Sequence, residues 1–135
     1  MRIKLALATA VILSAATMPS HAACMRCSPI QNVTDATVPN VSGKPLSSDE
    51  VRKAIMRAGG TLGWKMSADT PGKVTGTLEV RKHSAIVEIP YSSKSYSINY
   101  KSSVNLDESE GQIHNNYNGW IKNLAKAIDA QLANP

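Results

Sequence analysis

Between Val74 and Lys101 apolar and polar residues alternate with a period of two, and this pattern allows little besides an antiparallel sheet with one buried face. Val74, Gly76, Leu78 and Val80 alternate with Thr75, Thr77, Glu79 and Arg81. Ala85, Val87, Ile89 and Tyr91 alternate with Ser84, Ile86 and Glu88, and Tyr96, Ile98 and Tyr100 alternate with Ser97, Asn99 and Lys101. A tight turn at Lys82-His83 and a longer one at Ser92-Ser93-Lys94-Ser95 predict the pairs Val80 with Ala85, Leu78 with Val87, Ile89 with Ile98 and Tyr91 with Tyr96. In that register the apolar members of the three alternating sets fall on one face. Trp64-Lys65-Met66 opens a further strand, joined to the first through the turn signal Asp69-Thr70-Pro71-Gly72.

Two amphipathic helices flank the strands. Ser47-Ser48-Asp49-Glu50 is a capping box: the Ser47 hydroxyl accepts from the Glu50 amide while the Glu50 carboxylate reaches back. Val51, Ile55, Ala58 and Leu62 follow at helical spacing, and Gly59-Gly60 or Gly63 ends the helix. At the other end Ile113, Tyr117, Trp120, Ile121, Leu124, Ile128 and Leu132 form one apolar stripe. The reading is a two-layer α+β domain, an antiparallel meander of three to four strands on two amphipathic helices, in the order α-β-β-β-β-α.

The N-terminus reads as an address. Met1 to Lys4 is a short basic region, Leu5 to Ala16 an apolar one, and Met18 to Ala22 a polar stretch ending in small residues, which is the layout of a secretory signal over residues 1–22. Residues 23–45, punctuated by Pro29, Pro39, Gly43 and Pro45, read as a flexible leader in which only Ile30 to Val33 offers an edge strand, and the α+β domain occupies residues 46–135. Cleavage after Ala22 gives a soluble periplasmic chain. Acylation of Cys24, which follows Ala22-Ala23, gives a membrane-anchored lipoprotein, although His21 stands where such signals carry a Leu-like residue. Cys24 and Cys27 are the only cysteines. Their Cys-x-x-Cys spacing lacks the further ligands of a zinc site, the His of haem attachment and the strand-to-helix context of a thioredoxin-like pair. That leaves a local disulfide, or one lipidated cysteine beside a free one.

Charge narrows the partners. Loss of Arg2 and Lys4 with the signal takes the net charge from +5 to +3, and the basic residues are scattered without interleaved aromatics, so a nucleic-acid partner is not expected. No Gly-x-Ser-x-Gly elbow, Ser-x-x-Lys pair or Gly-rich phosphate loop is present, and no cofactor is expected. Val51 to Ile55 followed by Gly63-Trp64, then Arg81-Lys82-His83, Val87-Glu88-Ile89-Pro90-Tyr91, Tyr96 to Tyr100, Asn105-Leu106 and Ile113 to Leu124 resemble a family of small proteobacterial envelope proteins, often lipoproteins, with no assigned activity. The resemblance covers most of the chain after Ser47. It implies an envelope location and supplies no catalytic or ligand residues.

Candidate site residues come from the pattern itself. In the expected register Glu88 faces Thr77 and Asn99 with Lys101 diagonal to it, and Glu79 lies diagonal to Glu88, roughly 7–8 Å away. That separation overlaps the carboxyl spacing of an inverting glycosidase. The polar face of a sheet normally keeps carboxylates solvated, so a solubilising face with cross-strand pairs of Glu, Lys and Arg is favoured, ahead of a shallow binding face and of a cleft that would shift a pKa. His114 and Asn118 share one side of the last helix and form a second candidate, either for a polar ligand or for holding the Ser102 to Asn105 loop. His83 and His114 lie in distant elements, so no metal site is expected. Tyr96, Tyr100, Tyr117 and Trp120 fall on apolar stripes and belong to the core. The functional expectation is a non-catalytic envelope module that binds or scaffolds an envelope protein or glycan, touching the membrane only through a lipid on Cys24. The alternatives are a glycan-cleaving enzyme using Glu79 and Glu88, or a purely structural assembly protein.

Overall fold

The computed structural model describes residues 11–16 and 24–135. The signal reading rests chiefly on residues 1–10 and 17–22, outside those described. The elements run β1 (Cys27–Pro29), β2 (Val33–Thr37), α1 (Ser48–Thr61), β3 (Lys65–Thr70), β4 (Lys73–Val80), β5 (His83–Pro90), β6 (Ser95–Val104), β7 (Gln112–His114) and α2 (Asn115–Ala133). Five strands form one antiparallel sheet in the order β2-β6-β5-β4-β3, and β1 and β7 form a separate two-stranded ribbon. Both helices lie on one side of the sheet, an α+β fold in two layers. Val51, Ala54, Ile55 and Ala58 of α1, Tyr117, Ile121, Leu124, Ile128 and Leu132 of α2, and the inward residues of the strands close into a single buried cluster. No described helix is long and apolar enough to cross a membrane.

The first hairpin corrects the expected register. Its turn is Arg81-Lys82, with Arg81 at φ +56°, so Val80 pairs with His83, Leu78 with Ala85, Gly76 with Val87 and Val74 with Ile89. The predicted pairs Val80 with Ala85 and Leu78 with Val87 are displaced by two residues. A shift of two keeps every side chain on its face, so alternation cannot detect it, and a two-residue hairpin turn is favoured over the four-residue loop that the other register requires. Between β5 and β6 the expected register holds, with Val87 opposite Tyr100, Glu88 opposite Asn99 and Tyr91 opposite Tyr96.

Helix α1 opens on the capping box: the Glu50 amide donates to Ser47 Oγ at 3.1 Å and the Ser47 amide to Glu50 Oε2 at 3.0 Å. It runs through Gly59-Gly60 rather than ending there, and Gly63, at φ +84°, turns the chain into β3. Gly59 serves a different purpose. It is buried against β3, and a Cβ on it would lie 2.6 Å from Met66 Cγ, so its missing side chain sets how closely the helix sits on the sheet edge. Leu62, expected on the buried stripe, is 41% exposed. Helix α2 begins at Asn115, two residues later than the stripe implies, because Ile113 belongs to β7 and His114 is the N-cap.

The largest departure lies ahead of Pro45. Residues 27–37, read as part of a flexible leader, form β1 and β2; β1 pairs with β7, and β2 becomes the edge strand beside β6. Val38 and Leu46 enter the core at 7% and 6% exposure. Side chains fasten what the short strands cannot. Asn118 Oδ1 accepts from the Gln31 amide at 3.0 Å while its Nδ2 donates to the Pro29 carbonyl at 2.9 Å and to Ser28 Oγ at 3.0 Å. Asn32 Oδ1 accepts from the Tyr100 amide at 3.0 Å, and Ser97 Oγ from the Asp35 amide at 2.9 Å.

This packing makes two substitutions stabilising. Gly60 is an exposed helical position with nothing within 4 Å of where a Cβ would stand, so Gly60→Ala should raise stability by about 0.5–1 kcal/mol in urea unfolding, whereas Gly59→Ala should give no such gain. Tyr117 is fully buried, and among the described residues its hydroxyl is the only buried side-chain polar atom with no hydrogen-bond partner. Such a group costs about 1–3 kcal/mol, so Tyr117→Phe should raise the urea midpoint with an unchanged m-value.

Candidate functional site

The outward side chains of β4, β5 and β6 build a flat polar face. Across its centre lie Thr75 and Thr77 of β4, Ile86 and Glu88 of β5, and Ser97 and Asn99 of β6, all half-buried. Glu88 sits directly between Thr75 and Asn99. Two lysines reach it from the neighbouring strands: Lys73 Nζ lies 3.3 Å and Lys101 Nζ 3.1 Å from the same carboxylate oxygen, Oε1.

The second lysine stands at a bulge. Tyr100 pairs with Val87 but Ser102 pairs with Ile86, so Lys101 is the extra residue in β6. The inward neighbours close the irregularity on the other side, where Tyr100 and Ser103 share a hydrogen bond of 2.8 Å between their hydroxyls. Hydrogen bonds from Lys101 and then Lys73 hold the Glu88 carboxyl below the ordinary glutamate value, outweighing a small opposing effect of desolvation. A carboxylate so held is an acceptor and a fixed negative charge; it is poorly suited to deliver a proton near neutral pH.

Glu79 does not join it. With Glu88 opposite Thr75, Glu79 stands four residues further along β4, roughly 13 Å away at strand spacing, beside Ser84 and in an exposed pair with Lys65 at 3.6 Å. The diagonal placement of the two carboxylates expected from the sequence is therefore corrected, as is the pairing of Glu88 with Thr77. The residue that the sequence reading missed is Lys73. Its signal is the position itself, the first strand residue after Pro71-Gly72, which the two-residue register shift brings opposite Pro90 and next to Glu88.

His114 and Asn118 lie elsewhere. His114 Nδ1 accepts from the Asn116 amide at 3.2 Å, capping α2, and its backbone amide donates to the Leu106 carbonyl at 2.8 Å. Asn118 uses both ends of its side chain on residues 28–31, not on the Ser102 to Asn105 loop. Asn105 instead donates from Nδ2 to the Lys82 carbonyl at 2.7 Å, and His83 donates from Nδ1 to the Asn105 carbonyl at 2.7 Å, which locks the end of the first hairpin to the end of β6. Both histidines thus act on backbone. Among the described residues no group of three or more His, Cys, Asp or Glu is placed to hold a metal ion.

Cys24 and Cys27 are joined by a disulfide at the start of β1, with Asp107 beside both sulfurs at 4.0 Å. The buried tyrosines belong to the core. Tyr96 donates to Asp129 Oδ1 at 2.7 Å, and burial together with that carboxylate pushes its phenol up; burial does the same to Tyr117, which packs edge-on against Tyr100 at 5.4 Å. Compared with known proteins, the chain matches no family model, no curated protein and no solved structure.

The Glu88 clamp can be measured directly. Its folded carboxyl pKa is depressed, so the clamp's contribution is present above the ordinary glutamate value and is lost as pH falls through the folded one. A carboxyl NMR titration should place Glu88 below an ordinary glutamate. Replacing Lys73 and Lys101 together with Met should return it towards that value; a titration midpoint that the double variant leaves unmoved would contradict the assignment.

Proposed function

We propose that this chain is a non-catalytic module of the bacterial cell envelope, periplasmic or lipid-anchored, that works by binding or scaffolding through the outer face of its sheet. The observation that carries the reading is the make-up of that face. Solvated sheet faces are usually studded with long charged residues. Here the central positions are Thr75, Thr77, Ile86, Ser97 and Asn99, and Glu88, the one acidic residue among them, is already matched by Lys73 and Lys101. Short hydroxyl and amide side chains lose little rotamer freedom when covered, and charge is sparse where interfaces are dry. Such a face can be covered by a polar partner at small cost.

The envelope location draws on the signal-like residues 1–22 and on the resemblance to envelope proteins. Two fates of Cys24 remain within the proposal and exclude each other, because a sulfur in the Cys24–Cys27 disulfide cannot also carry a thioether-linked lipid. With a lipid on Cys24 the folded body would begin only three residues later, at β1, which would hold it against the membrane instead of on a long tether.

Photo-crosslinking tests the contact surface. A photoreactive residue at Thr77 or Asn99 should capture an envelope component in intact cells, competed by excess unlabelled protein, while one at Lys126 on the exposed side of α2 should not. Capture of a second copy of the chain would favour the assembly reading. Equal capture from α2, or turnover of a muropeptide lost on Glu88→Gln, would overturn the proposal.

A further inference from the structure

The end of the sheet where β5 runs out holds a groove that the outer sheet face does not include. Tyr91 stands at its middle and forms a wall of two adjoining hollows. The larger, about 370 Å³, lies between the first turn of α1 and the β3–β4 turn, lined by Ser48, Asp49, Arg52, Asp69 and Tyr91. The smaller, about 230 Å³, lies between β2 and the β5–β6 turn, lined by Asp35, Ser92, Ser95, Ser97 and Tyr91. The first falls within the range of ligand sites, roughly 300–1,000 Å³.

The groove is held in shape by contacts of its own. The Tyr91 amide donates to the Gly72 carbonyl at 2.9 Å, and Tyr91 pairs with Tyr96, so the ring is carried on fixed backbone. Asp49 Oδ1 receives Arg52 Nη2 at 2.6 Å and Asp49 Oδ2 receives Lys53 Nζ at 3.1 Å, which ties down the guanidinium in the wall of the larger hollow that Tyr91 also lines. Ser67 Oγ donates to Asp69 Oδ2 at 2.6 Å, and Ser92 Oγ accepts from the Ser95 amide at 3.2 Å. The side chains keep capacity to spare: the carboxylate lone pairs outnumber the donors that reach them, and the Ser92 hydroxyl has its proton to donate.

We propose that this groove binds a saccharide chain, with a sugar ring laid on Tyr91 and its hydroxyls bonded by Asp69 and Arg52 on one side and by Asp35 and Ser92 on the other. The lining argues for this class. Three carboxylates, only Asp49 of them matched by Arg52 and Lys53, disfavour a phosphate or other anion. Arg52, in the wall of the larger hollow, repels a cationic amine from it. The walls are polar and open, unlike the enclosed apolar pocket that an apolar small molecule needs. What remains is a neutral ligand with many hydroxyls and one flat apolar face, for which a tyrosine offers both a ring and a polar tip. The site stands apart from the centre of the outer sheet face and shares only Ser97 with it.

The test is a ¹⁵N NMR titration of the mature protein with three probes, chitotetraose, cellotetraose and maltotetraose. At least one should shift the amides of Tyr91, Asp69 and Ser92 together. Tyr91→Ala should weaken that binding at least tenfold, Tyr91→Trp should retain it, and Asp69→Asn, an exposed position where the amide oxygen can still accept from Ser67 Oγ, should weaken it about fivefold. Asn99→Ala, which alters the sheet face, should leave sugar affinity unchanged, so the two readings can fail separately. If no probe moves these amides, or if Tyr91→Ala and Asp69→Asn both bind as the parent does, the saccharide site is wrong.

Discussion

The constraint on which the rest depends is that one face of the sheet is buried under two helices and the other is not. Val74, Leu78, Ala85, Val87, Ile89, Tyr96 and Ile98 are at most 7% exposed, while their alternate neighbours on the same strands stay half-exposed. Burial of side chains this size is worth roughly 1.5–3 kcal/mol each, so parity along every strand is fixed far more firmly than any single turn. The polar face, its clamp at Glu88 and the positions that a partner could cover all inherit their places from that parity.

Parity is also what made much of the fold legible, and it explains where legibility stopped. Alternation identified the strands, and the capping box at Ser47 identified the start of α1 to the residue. Neither could set the register of the first hairpin, since a slip of two residues costs the pattern nothing. The deciding chemistry was at Arg81, which adopts φ +56° without being the Asn or Gly that usually announces such a turn. Glycine misled in the opposite direction. Gly59 has the composition of a helix end but the role of a close contact, and only the position of Met66 distinguishes the two.

The strands before Pro45 were legible only as a short edge strand at Ile30 to Val33, for a related reason. Alternation in β2 is broken by a register shift between Val33 and Ala36, where Asp35 takes φ +49°, and β1 is three residues long. Their attachment is encoded at a distance. Asn118 is a poor residue for a helix interior, and its reason for being there lies in bonds to residues 28–31, almost ninety positions earlier in the chain. A side chain with two donors and an acceptor can replace part of a missing ladder, and nothing in the local sequence says which segment it will meet.

The same distinction separates the candidate residues. Glu88, Asn99 and Lys101 come together because two of them are opposed in a ladder and the third follows two residues later, at a bulge that leaves it beside Glu88. His83, His114 and Asn118, chosen for chemistry, spend it on backbone groups, and their neighbours gain rigidity from the exchange. A polar side chain that must satisfy an orphaned amide or carbonyl is not free to recognise a ligand. In this small domain the residues that remain free are short ones on the outer face of the central strands and those around Tyr91, beside the first turn of α1, so the proposed recognition falls to surfaces that the core did not need.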